Sequence, residues 1–137
     1  MLTTATFKQA IRNLKNTIKG RAQSSREMRQ EANKLSGMAK HRVHLQMREY
    51  GNMTRHYLLA YAMIRGIPYR KVERHCRPEN CLVNPEVSWG STSLSADRIS
   101  SCLINTGLGE NTVEALWGPE RVKAWVEAPV EETRKAA

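Results

Sequence analysis

The chain has 137 residues, 40% of them hydrophobic, and carries 22 Lys/Arg against 13 Asp/Glu for a net charge of +9. That length and apolar content suit one compact domain, or one domain with a helical extension. No apolar run approaches the roughly 18 residues that a membrane span requires, and the opening MLTTATFKQAIRNLKNTIKG lacks the long apolar centre of a secretion signal.

The basic pattern runs on past residue 30, which favours a mature helix over a basic presequence. Three cysteines, Cys76, Cys81 and Cys102, form an odd set. Without a secretion signal they predict free thiols in a reducing compartment, cytoplasmic or nucleoid-associated. The charge is polarised along the chain. Residues 1–80 hold 17 Lys/Arg against 5 Asp/Glu, a balance of +12, and residues 81–137 hold 5 against 8, a balance of −3. A basic half joined to a mildly acidic half predicts a directed electrostatic face whose natural partner is a polyanion, nucleic acid above all.

In chain order, residues 4–36 carry the first helical pattern. Phe7, Ile11, Leu14 and Ile18 recur at 4-3-4 spacing and fall on one stripe, with Lys8, Arg12, Lys15 and Lys19 beside it. Gly20 is a weak point, so the span reads as one long helix or two, stopping near Ser36-Gly37. A second helix is expected over 38–50, ended by Gly51-Asn52, both tolerant of left-handed backbone angles. A third starts near Thr54 as N-cap and runs to Gly66. A fourth begins at Pro68, where the amide that proline lacks would have no partner. Residues 77–95 hold two prolines, a glycine and several serines, and read as a loop. Helix resumes behind Ser95 as SADRISSCLINTG, then LGENTVEALWG, then PERVKAWVEA with Pro119 in its first turn. The tail PVEETRKAA reads as frayed.

The expected fold is all-α, without substantial sheet. Its divisions are a basic helical arm (1–50), a glycine-broken helix pair (51–77), a linker (78–95), a second small helical unit (96–130) and a tail (131–137).

The segment AMIRGIPYRKVERH carries the most specific signal. In a 20-residue helix-turn-helix frame, Ala62 takes position 5, where the helices cross. Gly66 takes position 9 at the turn, and Ile67, Val72 and His75 take positions 10, 15 and 18. Arg65 stands where an apolar residue is usual. Over residues 54–77 the chain resembles the helix-turn-helix units of small DNA-binding regulators. That resemblance implies a recognition helix over 68–77. Tyr69, Arg70 and Lys71 would lie at its base-contacting end, Arg70 suited to guanine, Lys71 and Arg74 to phosphates, and Arg55 and Arg65 to the backbone from the preceding helix. A second match sets Leu103, Gly107, Leu108, Val113 and Leu116 in the same five positions. Its second helix carries Glu110 and Glu114 and no Lys or Arg, and so reads as structural or as a protein-contact surface.

Other chemistry is thinly represented. His75, Cys76, Cys81 and Cys102 form a weak Cys3His metal candidate. The C-x4-C spacing is wrong for a paired knuckle, and Cys102 lies on an apolar helix face. His41, His44 and His56 read as parts of the basic surface. No phosphate-cradling loop, nucleophile elbow or metalloprotease helix occurs, and Asp97 is the sole aspartate, so neither enzymatic activity nor a cofactor is expected. Trp89, Trp117 and Trp125 read as core of the C-terminal half.

Two functions follow. The first is a non-enzymatic protein that binds DNA, in preference to RNA, through the helix-turn-helix unit, as a small regulator or accessory factor that dimerises through the Phe7–Ile18 stripe. The second is a small interaction protein of the kind phages and mobile elements encode. It would inhibit or adapt a host protein or nucleoprotein, with its C-terminal half docking the partner.

Overall fold

A computed structural model describes residues 2–72 and 95–128, all helix and turn with no strand. Helix α1 spans Thr4–Asn33 and α2 spans Gly37–Ile64. A short α3 covers Tyr69–Val72, followed after residue 95 by α4 (Ala96–Leu103), α5 (Glu110–Trp117) and α6 (Pro119–Glu127). A π-type turn, Ile104–Leu108, connects α4 to α5. The linker, the tail, Arg74, His75, Cys76, Cys81 and Trp89 lie outside the described residues.

Helix α1 is a single element. Thr3 caps it, its hydroxyl accepting from the Thr6 amide at 3.1 Å, and the helix passes through Gly20 unbroken. A hairpin connection at Lys34–Ser36 turns the chain, with Gly37 in the left-handed region at φ +60°. The expected stop at Gly51-Asn52 is overturned: α2 crosses both residues, and both are buried inside it. Their local preference for a helix end is overridden because α1 packs along α2 there, and a continuous helix keeps every backbone amide satisfied away from water.

The stop at Gly66 is real and has a full set of terminal bonds. Gly66 takes φ +73°. Its amide donates to the Met63 carbonyl at 3.0 Å and the Ile67 amide to the Ala62 carbonyl at 2.9 Å, the paired bonds of a Schellman ending. Glycines also mark the second turn, where Gly107 sits at φ +96° and Gly109 at φ +89°. Ser95 caps α4 as expected, its hydroxyl accepting from the Arg98 amide at 3.2 Å, and Pro119 opens α6.

The core is one cluster drawn from both halves of the chain. Ala10 and Leu14 of α1 meet Leu59, Ala60, Met63 and Ile64 of α2. These pack on Ile99, Cys102 and Leu103 of α4, Leu108 of the turn, Val113 of α5 and Val122 of α6. Phe7 and Ile11 are half-buried against the same cluster, and Phe7 lies 6.4 Å from Trp117, centroid to centroid. The Phe7–Leu14 stripe is thus covered by the chain's own C-terminal helices, and a dimer through α1 would have to use another face. Trp117 and Trp125 pack against this core as expected.

Candidate nucleic-acid interface

With its apolar face turned inward, α1 presents most of its basic residues to solvent. Lys8, Arg12, Lys15 and Lys19 are all exposed, and so is Arg26. At 3.6 residues per turn these five fall within a sector about 60° wide and extend over about 27 Å of helix. No carboxylate lies in that sector, since Glu27 and Glu31, the only acidic residues of α1, project from another side. Polar amides flank it: Gln9 accepts from Arg12 Nη2 at 2.8 Å and donates to Asn13 at 2.9 Å. Asn13 in turn donates to the Thr106 carbonyl at 2.9 Å, fastening α1 to the turn after α4. Arg26 was not among the expected contacts. Its signal is the seven-residue step from Lys19, which is visible only if the helix continues through Gly20.

The helix-turn-helix-like end lies beside the N-terminal half of α1, because α2 runs back along it. Arg65, Arg70 and Lys71 are exposed there. Arg65 donates to the Tyr61 hydroxyl at 3.1 Å, with its guanidinium 5.7 Å from that ring. Tyr69 is half-buried, its ring edge-on to Trp125 at 5.4 Å. The Trp125 indole N–H donates to the Ile67 carbonyl at 2.9 Å. Tyr69 therefore acts as a strut that holds α3 on α6. Arg55 is half-buried on α2.

Two charged or titratable side chains turn out to be internal fastenings. Arg21 donates through Nε to Thr54 Oγ1 at 2.9 Å and through Nη2 to the Tyr50 carbonyl at 3.1 Å. Its guanidinium lies 3.9 Å from the centre of the Tyr50 ring. It locks α1 to α2 just after residue 20. His56, expected on the basic surface, is fully buried. Its Nε2 lies 3.0 Å from the Ser95 amide, whose N–H it accepts, and Nδ1 lies 2.8 Å from the Asn52 carbonyl, to which it donates. This is a neutral ring with both nitrogens used. Burial lowers its pKa below 6.5, the nearby positive charges of Arg55 and Arg98 lower it further, and the Asn52 bond opposes them. Sequence alone flagged neither residue, because their roles depend on which helices face each other.

No cluster of metal-ligating side chains occurs among the described residues. Cys102 is buried in the core, with its sulfur 4.0 Å from that of Met53. Burial pushes its thiol pKa up to about 12, so at neutral pH it is an inert thiol. No helix among the described residues is long and apolar enough to cross a membrane. Compared with known families, characterised proteins and solved structures, the chain matches no family model, no characterised protein and no solved structure.

Proposed function

We propose that this is a non-enzymatic nucleic-acid-binding protein that engages duplex DNA through its basic N-terminal half. The observation that carries the reading is the acid-free sector of Lys8, Arg12, Lys15, Lys19 and Arg26 on one unbroken helix. Arg65, Arg70 and Lys71 add further exposed cations at the helix-turn-helix-like turn. Long cationic side chains held apart from carboxylates keep their charge available for phosphate, and each contact releases condensed counterions. The opposite charge balance of residues 81–137 orients the molecule, basic half toward the polyanion.

The test is duplex binding followed by fluorescence anisotropy across a salt series. Five ridge contacts predict a log–log slope of at least about −4. Replacing Lys8, Arg12, Lys15 and Lys19 together by Gln should flatten the slope by about three to four charges, and Arg70→Gln/Lys71→Gln by about one to two. Failure of the native chain to bind any duplex at low salt would sink the reading. The adaptor reading would then take over, with exposed Leu116 on the acidic helix α5 as the first docking residue to replace.

A further inference from the structure

The geometry of the α1 ridge says how it meets the duplex. A helix that reads bases sits in the major groove, with polar residues at its floor and cations on both flanks. The α1 ridge is different. Its five cations form a single narrow row. The side turned toward the body carries Ile11, Ile18 and Ala22, which have no group for a base edge. On the other flank the amides of Gln9 and Gln23 are engaged with Arg12, Asn13, Arg26 and Glu27 of the same helix. Along the row, successive charges rise by about 5–6 Å, with one step of about 10 Å between Lys19 and Arg26. Three of the five are lysines, compact point charges suited to single phosphate oxygens and not to the bidentate pattern of guanine.

Helix α1 itself brings no aromatic side chain to the ridge, since Phe7, its only aromatic residue, is turned onto Trp117. The helix therefore offers unpaired bases no stacking platform of its own. Resting on the nucleic-acid reading above, we infer that the α1 ridge is a sequence-independent clamp on one phosphate strand of duplex DNA. Affinity comes from the row's alignment with the strand, and no base is read by this helix.

The experiment moves charge without changing it. Lys8→Gln/Gln9→Lys combined with Lys15→Asn/Asn16→Lys turns two cations by about 100° around α1 and leaves the net charge intact. All four positions are exposed, and unchanged far-UV dichroism verifies the helix. Binding is measured against three duplexes of equal length and unrelated sequence, and against one matching single strand. The inference predicts that the native protein binds the duplexes within about threefold of one another and all more tightly than the single strand. It also predicts that the shifted variant loses about two charges of salt slope and tenfold or more in affinity at low salt. Arg26→Gln, a single exposed change, should lose about one charge. Unchanged binding by the shifted variant overturns the ridge and leaves general charge attraction. A tenfold spread among the duplexes overturns sequence independence, and tighter single-strand binding overturns the duplex. No binding by the native chain would overturn this inference together with the function on which it rests.

Discussion

His56 is fully buried and neutral by construction, because Nε2 can accept from Ser95 only while it carries no proton. A depressed folded-state pKa means that the unfolded chain binds the proton more readily between that pKa and about 6.5. The stability His56 contributes is therefore complete above about pH 6.5 and is lost as pH falls, by at most about 1.4 kcal/mol per pH unit until the folded pKa is reached. Thermal unfolding midpoints from pH 7.5 to 5 should decline, and His56→Leu should flatten that decline. The same variant should be less stable at pH 7.5 by about 1–3 kcal/mol, because the Ser95 amide loses its acceptor. Arg21→Ala should cost about 2 kcal/mol, since it strips donors from the Tyr50 carbonyl and Thr54 and removes a guanidinium stacked on Tyr50. Arg21→Lys should recover only part of this, having no planar fork. Chemical denaturation measures both, and neither change should alter the salt slope of DNA binding, because Arg21 is turned inward.

Among the elements, three glycines give opposite expectations from the same substitution. Gly20 lies in mid-helix with nothing within 4 Å of where a Cβ would stand, so Gly20→Ala should stabilise by about 0.5–1 kcal/mol through helix propensity. Gly66 is left-handed, so Gly66→Ala should destabilise by about 1 kcal/mol even though the space is open. At Gly118 a Cβ would lie 2.6 Å from the Glu114 carbonyl oxygen, so Gly118→Ala must displace α6 from α5 and should cost more than Gly66→Ala. Denaturant midpoints for the three variants check the order. Helix ends with local causes were legible in the sequence: Thr54 aside, the caps at Ser95 and Pro119 and the stop at Gly66 follow from one or two side chains each. The continuity of α2 through Gly51-Asn52 was not legible, because only packing against α1 decides it. The cations Lys8 to Lys19 were readable from spacing. Arg26 was hidden by an assumed break at Gly20, and Tyr69 could not be separated from its neighbours until Trp125 was placed against it.

For the molecule as a whole, the shared core determines how it unfolds. Among the described residues both tryptophans, Trp117 and Trp125, lie in the C-terminal helices, while α1 and α2 provide most of the helical signal. Because Leu14, Leu59, Ile99, Leu103 and Val122 form one cluster, tryptophan fluorescence and far-UV dichroism should report one coincident transition. Leu103→Ala should lower both midpoints together, by about 2–5 kcal/mol in stability. Two separated transitions would show instead that the halves fold independently. The acidic balance of the C-terminal half was visible in the sequence, but its role as the cover for α1 was not, because hydrophobic stripes on separate segments do not state their partners.

The central cluster takes no side chain from residues 15–52. In the distal part of the helical hairpin, Ser25, Ala32 and Met47 are the fully enclosed contacts, and Met38 and Leu45 are left in water. One continuous helix thus crosses from a thick-walled region into a thin one, with the Arg21–Tyr50–Thr54 fastening at the border. Opening free energies along α1 and α2 should fall beyond that border. In deuterated solvent, amides of residues 8–20 and 53–64 should retain their protons to the limit of global unfolding, and those of 24–48 should lose them earlier. The hairpin would then behave as a rod clamped at one end, with four of its five ridge cations on the clamped portion and Arg26 on the part that yields.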